Sequence, residues 1–257
     1  MRASRHFIPF STIVIKEITR FMRIWIQTII PSAVSMTLYF IVFGSLIGSR
    51  VGQMNGISYI EFISPGIIMM AIINNAYANV VSSFFSAKFQ RHIEEILVAP
   101  VSTFIILAGY VTGGVARGLV VGFVVTLVAL CFTDLRIYNY FIVVAVVFFT
   151  AVLFSIAGLL NAIFAKKFDD ISIIPTFILT PLSYLGGVFY TIDLIPEFWQ
   201  TVSKFNPILY MVNAFRYGML GVSDINIYSA FGILLIFIFV LGGIALYLLH
   251  RGTGIKT

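Results

Sequence analysis

Residues 138–164, YNYFIVVAVVFFTAVLFSIAGLLNAIF, contain no charged side chain. A helix needs about 20 apolar residues to cross the roughly 30 Å hydrocarbon core of a bilayer, and this stretch is long enough to do so. Five other stretches meet the same requirement, which predicts a bundle of six transmembrane helices. The predicted spans are approximately 24–47, 62–86, 102–132, 138–164, 171–191 and 227–249.

The composition of the chain agrees with this interpretation. Hydrophobic residues make up 60% of the 257 residues, charged residues make up 10%, and the mean hydropathy is +1.05. Soluble domains are about half apolar and a quarter charged. We therefore predict an all-α integral membrane protein with a single domain, residues 1–257. The net charge of +6 does not indicate a nucleic acid partner, because the basic residues flank apolar runs.

The distribution of Lys and Arg predicts the topology, because short loops rich in positive charge stay in the cytoplasm. With a cytoplasmic N-terminus, the cytoplasmic basic residues are Arg2, Arg5, Lys16, Arg20, Arg23, Lys88, Arg91, Lys166, Lys167, Arg251 and Lys256. The outer basic residues are Arg50, Arg136, Lys204 and Arg216. Both termini are then cytoplasmic, as expected for an even number of spans.

The N-terminal segment predicts an amphipathic helix that lies at the membrane interface. One face carries the apolar residues Phe10, Val14, Ile18 and Phe21. Lys16, Arg20 and Arg23 are placed to extend toward lipid headgroups. No small-residue cleavage site follows closely, so we expect the N-terminus to be retained.

Residues 194–218 are long enough for another span, but they include charged residues and the break Asn206-Pro207. Proline removes a backbone donor and clashes with the preceding turn. We predict two short helices that meet at this break and form a re-entrant hairpin between spans five and six, on the outer side. The alternative is a structured loop on the membrane surface.

The loop of residues 88–102 predicts a short cytoplasmic helix that begins at Phe89 and stops before Pro100. Its apolar face consists of Phe89, Ile93, Ile96 and Leu97, whereas Arg91, Glu94 and Glu95 project elsewhere. The helix either docks onto another protein or merely turns the chain at the interface, and the spacing does not separate these possibilities.

Span three combines a glycine-rich face with one buried cation. Its glycines are Gly109, Gly113, Gly114, Gly118 and Gly122, and several are four residues apart, which favours close helix packing within the subunit or across a dimer. Arg117 near the middle of this span costs about 2.5 to 3.5 kcal/mol unless it faces protein or water. Asn74 and Asn75 lie at a similar depth in span two and are its expected partners, whether Arg117 serves packing or substrate.

Span five carries Pro175, Pro181 and the pair Gly186-Gly187, which predict a kinked helix. A kinked helix suits a gate, and it also occurs as a static feature of packed bundles. Phe189, Tyr190, Phe198 and Trp199 follow near the outer end; an aromatic belt at the lipid interface explains them, and contact with an amphiphilic substrate is the alternative.

The sequence contains no motif typical of ATP binding, catalysis or metal binding. No Gly-x-x-x-x-Gly-Lys-Ser/Thr loop or nucleophile elbow is present, and the three histidines have no metal-ligand spacing. Every acidic residue maps to a loop or a span end, which argues against a proton-coupled carrier or an intramembrane enzyme. We expect a transport protein that is not itself an enzyme and holds neither a cofactor nor a metal.

Three features resemble the permeases of type-2 ABC exporters, and the resemblance covers nearly the whole chain. The first is residues 91–102, which look like the coupling helix of the family followed by its Pro-x-Ser. The second is Gly186-Gly187-Val188-Phe189-Tyr190 with Leu194-Ile195-Pro196. The third is Asn206-Pro207 with the downstream Arg216.

The resemblance implies an exporter subunit of the bacterial inner membrane, which acts as a homodimer with a cytoplasmic ATPase that binds ATP-Mg. Its coupling helix would consist of Phe89, Arg91, Ile93, Glu94, Glu95 and Leu97, with Glu94 and Glu95 as polar contacts. Its re-entrant and gate residues would be Gly186, Gly187, Pro196, Asn206, Pro207 and Arg216. The substrate, a drug, lipid or glycan, would pass between the subunits along spans one, two and five. An ATP-independent channel or secondary carrier is the alternative.

Overall fold

The computed structural model describes residues 2–54, 56–93 and 100–254, with the side chains of residues 2–6 left out of account. In this part of the chain, five helices are long and apolar enough to cross a membrane. They are α2 (Trp25–Val51), α3 (Tyr59–Phe89), α4 (Thr103–Leu130), α5 (Tyr140–Phe164) and α9 (Ile227–Arg251). The helix at the fifth predicted span, α6 (Asp170–Leu185), is shorter, with 16 residues.

Helix α1 (Arg2–Arg23) packs along α4. Its most buried residues are Ile13, Glu17 and Phe21. The predicted helix is present, but Ile18 of the predicted apolar face is exposed and the carboxylate of Glu17 is fully buried. The expectation that every acidic residue maps to a loop or a span end is therefore wrong for Glu17.

Helix α2 contains a π-helical segment, Phe40–Ile47, and ends where Gly52 takes a φ of 75°. A short antiparallel hairpin follows, formed by β1 (Gln53–Met54) and β2 (Ile57–Ser58). The Ser58 hydroxyl then caps the start of α3 by accepting the Glu61 amide. This compact connection brings α3 back alongside α2.

Helix α3 is the central element of the bundle, and it packs against α4, α5 and a later helix, α8 (Pro207–Leu220). In its most apolar window 83% of residues are buried, against 17% in α2 and in α9. Its mean hydropathy in that window is 1.4, the lowest of the five long helices. A helix buried on all sides by protein can carry more polar residues than a helix that faces lipid.

The glycines of α4 face neighbouring helices of the same subunit. A Cβ at Gly109 would lie 2.7 Å from Ile13, and a Cβ at Gly113 would lie 2.5 Å from Glu17, both on α1. At Gly122 it would lie 2.6 Å from Ile72 of α3. The glycine face therefore serves packing within the subunit, which was one of the two predicted possibilities.

Helix α6 begins at Asp170, contains a π-helical turn at Pro175–Leu179 and ends at Leu185. The predicted fifth span, 171–191, is thus helical only to residue 185, because the chain turns at Gly186 and Gly187. Gly187 has a φ of 69°, a conformation that glycine adopts at no steric cost. The described residues therefore contain five helices of full spanning length and a shorter helix, α6, at the fifth predicted span.

A 3₁₀ turn (Ile192–Leu194) leads into α7 (Glu197–Lys204) and then α8. The two predicted short helices are confirmed, and they meet at Asn206-Pro207. Helix α8 packs against α3, α5 and α9, whereas α7 exposes Phe198 and Trp199. Gly221 in the left-handed conformation ends α8 before the chain enters α9.

Candidate functional site

The turn of residues 186–190, here called the Gly187 turn, is buried among α3, α6 and α8. Arg216 of α8, 1% exposed, reaches the turn and donates from Nη2 to the Gly187 carbonyl. Its Nε donates to the Phe62 carbonyl at 3.3 Å, and its guanidinium carbon lies 3.9 Å from the centre of the Phe62 ring. Arg216, which we expect on the outer side of the membrane, is enclosed by protein and joins three segments.

The break Asn206-Pro207 lies against the same turn. Asn206 Nδ2 donates to the Leu182 carbonyl at 2.6 Å, while its Oδ1 accepts the Ile208 amide and caps α8. A Cβ at Gly186 would lie 2.8 Å from Ile208. Asparagine is among the preferred N-cap residues, and proline suits the first helical position.

Helix α3 approaches the Gly187 turn from the other side. The Tyr59 hydroxyl donates to the Phe189 carbonyl at 3.0 Å, and a Cβ at Gly66 would lie 2.9 Å from the backbone of Val188. The structure thus brings together five of the six residues predicted for the gate region: Gly186, Gly187, Asn206, Pro207 and Arg216. The sixth, Pro196, is exposed at the start of α7.

Four aromatic residues connect α2 to the region of α6 and the Gly187 turn. The Tyr39 and Tyr184 hydroxyls are 3.1 Å apart, and the Phe43 and Phe189 rings stack with centroids 4.4 Å apart. Phe189 is 8% exposed, so it belongs to this cluster and not to an aromatic belt at the lipid interface. These contacts join the first and fifth predicted spans.

At the other end of the bundle, α3 continues through Phe89, and the chain then turns at Gln90 and Arg91, where the φ of Arg91 is 63°. The prediction that a new helix begins at Phe89 is therefore wrong. His92 and Ile93 are helical and Ile93 is fully buried. Glu94, Glu95 and Leu97 lie outside the described residues.

Two contacts explain why α3 stays helical as far as Phe89. Lys88 Nζ donates to the carbonyls of Ile163 and Ala165 at 2.6 and 2.7 Å, which caps the end of α5. Phe89 and Phe168 have ring centroids 4.9 Å apart. These partners are about 75 residues away along the chain, so the local spacing that predicted the helix boundary contains no signal for them.

A row of polar side chains, here called the polar ladder, runs along α3 and consists of Asn75, Asn79 and Ser83. Ser83 donates to a carboxylate oxygen of Glu17. Arg20 donates to Asn79 Oδ1 at 2.8 Å and lies 3.4 Å from the other Glu17 oxygen. Arg20 therefore binds protein and does not extend to lipid headgroups as predicted. The four-residue spacing of the polar ladder is the sequence signal for this face.

Arg117 of α4 is hydrogen-bonded to Asn75, the first residue of the polar ladder. Its Nη2 donates to Asn75 Oδ1 at 3.1 Å, and Asn75 Nδ2 donates to Ser32 Oγ of α2 at 3.0 Å. The predicted partnership of Arg117 with Asn75 is confirmed. Asn74 makes no hydrogen bond to Arg117 in the described part of the chain and is partly exposed.

A cavity of about 910 Å³ opens between the start of α5, the end of α8 and the start of α9. Its wall is mainly apolar and includes five aromatic residues, Phe141, Phe149, Tyr217, Tyr228 and Phe231. It contains none of the residues singled out from the sequence, because its lining comes from three elements with no shared spacing. Among the described residues, no group of His, Cys, Asp and Glu is arranged to hold a metal ion.

A family profile and several known proteins match the chain. The sequence profile of the ABC-2 type transporter matches residues 9–220. The chain is 57% identical over 252 residues to the inner membrane transport permease YadH of Escherichia coli (strain K12), covering 98% of both chains. It is 23% identical over 227 residues to nodulation protein J of Rhizobium leguminosarum bv. viciae, covering 88% of both.

Proposed function

The chain belongs to the ABC-2 type transporter family, and from this membership we propose that it is the permease subunit of an ABC exporter in the bacterial inner membrane. A separate cytoplasmic ATPase, which binds ATP-Mg, powers transport of a drug, lipid or glycan. The observation that carries the proposal is the family match over residues 9–220, which includes the Gly187 turn, Asn206-Pro207 and Arg216. The permease itself performs no catalysis.

In this proposal residues 1–257 form one membrane domain with six spans and cytoplasmic termini. Helix α6 together with the Gly187 turn serves as the fifth span. The α7–α8 pair is a re-entrant hairpin on the outer side. In support, α8 begins beside the Gly187 turn, and its last turn accepts the backbone amides of Tyr138 and Asn139 just before α5. Even-numbered spans start on the side of the membrane where odd-numbered spans end. The end of the fifth span and the start of α5, the fourth span, therefore lie on the same side, together with both ends of α8.

The ATPase docks at the segment that follows α3. The turn at Gln90 and Arg91 directs the chain away from the α3 axis, and Lys88 ties the end of α3 to the end of α5. A force applied just after this turn acts on both helices. We propose Glu94 and Glu95 as the polar contacts with the ATPase.

Two copies of the chain form the transport unit, with the pathway between them along spans one, two and five. Support comes from α2, whose apolar surface is largely uncovered within one chain, and from the aromatic contacts that join α2 to α6. A secondary carrier would need an ion-coupling group such as a carboxylate. The buried carboxylate of Glu17 is paired with Arg20 and Ser83, which favours a structural role for it.

The test is co-purification of a P-loop ATPase with the tagged protein from mild detergent. We compare the wild type with the double variant Glu94→Arg, Glu95→Arg. The matched control is Asp193→Arg, Glu197→Arg, which makes the same charge change at exposed residues next to and within α7. We expect the ATPase to be lost only from the first variant.

Transport that continues in cells without the ATPase would contradict the exporter proposal and support a channel or carrier. An ATPase that binds both variants equally would refute Glu94 and Glu95 as contacts.

A further inference from the structure

Arg117 has far fewer partners than its side chain can use. A guanidinium has five N–H donors, and in the described part of the chain the only acceptor hydrogen-bonded to Arg117 is Asn75 Oδ1, at 3.1 Å. Its Nε is buried and has no hydrogen-bond partner among the described residues. Arg216, the other deeply placed arginine, has three acceptors and an aromatic ring beneath it.

The charge of Arg117 also lacks a counter-ion. Among the described residues the ion pairs are those of Glu17 with Lys16 and Arg20, and no carboxylate lies within 4.0 Å of Arg117. The partners Asn75 and Ser32 are neutral. Glu17 is shared by Lys16 and Arg20, so no carboxylate among the described residues of this cluster is left to balance the charge of Arg117.

The site is open enough to be reached from the side of the bundle. Arg117, Ser32 and Asn74 are all partly exposed. Val120 and Val124 follow Arg117 by three and seven residues on α4, so they lie on the same side of the helix, and both are partly exposed. A ligand here meets a cation at one end and an apolar strip beyond it.

We propose that Arg117, held in place by Asn75, binds the acidic head group of a membrane amphiphile, a phosphate or carboxylate with an apolar tail. The planar guanidinium matches such groups with paired, charge-assisted hydrogen bonds. The attraction is stronger in an apolar medium than in water. This inference rests on the proposed membrane placement of α2, α3 and α4, and not on the ATPase.

The experiment measures lipid retained by the protein without any ATPase. Wild-type protein and variants are purified from nanodiscs of equal parts phosphatidylglycerol and phosphatidylcholine, and bound lipid is quantified by mass spectrometry. Arg117→Gln removes the cation, whereas Arg50→Gln, at an exposed residue at the end of α2, is the matched control. We expect Arg117→Gln to lower phosphatidylglycerol retention about tenfold, as for loss of one charge-assisted pair.

Asn75→Asp separates loss of binding from loss of folding. The new carboxylate is nearly isosteric with the amide and would lie about 3 Å from the Arg117 guanidinium, so it provides an internal counter-ion. We expect this variant to lose phosphatidylglycerol retention as well, while its thermal melting temperature stays at or above that of the wild type.

A second arm distinguishes a membrane amphiphile from a soluble anion. Inorganic phosphate is titrated onto delipidated protein in neutral detergent, and we expect no change in melting temperature, in contrast to added phosphatidylglycerol. Equal stabilisation by phosphate would overturn the amphiphile proposal, as would equal phosphatidylglycerol retention in all four proteins. ATPase co-purification is measured separately, so a failure of the amphiphile proposal can be distinguished from a failure of the exporter proposal.

Discussion

Arg216 lies where three segments that are distant in the sequence meet. Its acceptors are the Phe62 carbonyl of α3, the Gly187 carbonyl of the Gly187 turn and Asn213 Oδ1 of α8. A buried backbone carbonyl that loses its donor costs free energy comparable to a lost hydrogen bond. One side chain therefore connects α3, the Gly187 turn and α8.

Arg216→Met keeps the bulk of the side chain and removes every donor. We expect it to destabilise the protein by about 3 kcal/mol or more, since it removes the donors to the Phe62 and Gly187 carbonyls in an interior site. Thermal unfolding followed by size-exclusion chromatography in detergent measures the change. The control Lys204→Met, at an exposed position of α7, should be nearly neutral. Equal melting temperatures for both variants would contradict a structural role for Arg216.

The partner of a single residue could be predicted from the sequence where its depth in the membrane alone decided the contact. Asn75 and Arg117 lie at matching depths in consecutive predicted spans, and they are hydrogen-bonded in the structure. Glu17 was missed because its partners Ser83 and Arg20 become apparent only when the face of α1 is compared with the polar ladder of α3. A carboxylate in the middle of an apolar helix face was the available signal.

At the scale of helices, close packing depends on glycines that contact backbone. A Cβ at Gly158 of α5 would lie 2.5 Å from the Tyr77 carbonyl oxygen and 3.3 Å from the Val81 amide nitrogen, both on α3. Backbone of a central helix cannot move aside as a flexible side chain can. The pair α3–α5 is therefore held at a separation that only glycine permits.

Gly158→Ala should separate α3 from α5 and destabilise the protein by roughly 1–3 kcal/mol, the usual cost of overpacking. The matched control is Gly243→Ala in α9, where an added Cβ meets nothing within 4 Å. There alanine should be neutral or stabilising by about 0.5–1 kcal/mol, because it favours the helix. Melting temperatures of the two variants in the same detergent provide the comparison, and a stable Gly158→Ala would show that α3 and α5 can move apart.

Apolar runs predicted the long helices well but not all of their ends. Residues 138–164 became α5 with little change, and the break at Asn206-Pro207 correctly separated α7 from α8. The ends of α3 and α6 were misjudged, because they depend on contacts between distant residues. Lys88 and Phe89 extend α3, and the burial of the Gly187 turn ends α6 early.

For the whole molecule, the proposed dimer needs an exposed apolar helix surface, and two of the long helices provide one. Helices α2 and α9 are equally exposed in one chain. Our proposal places the second copy against α2, which leaves α9 to face lipid. Hydropathy alone could not have made this assignment, because lipid and an apolar partner surface are similar environments.

Cysteine cross-linking distinguishes the two surfaces. Leu38 of α2 and Val240 of α9 are 56% and 53% exposed, so a thiol is equally accessible at either position. In a Cys131→Ser background, we expect oxidation of Leu38→Cys in membranes to give a covalent dimer on a non-reducing gel, whereas Val240→Cys stays monomeric. The reverse pattern would place the partner on α9.

The central position of α3 has a consequence for how the protein is made. During synthesis α3 leaves the ribosome before α4 and α5, yet it is the least hydrophobic of the five long helices and carries the Asn and Ser residues of the polar ladder. Arg117, which binds Asn75, is 42 residues downstream. We therefore expect α3 to remain at the insertion machinery until α4 and α5 have been synthesised. The helices of this protein should then enter the membrane in groups and not one at a time.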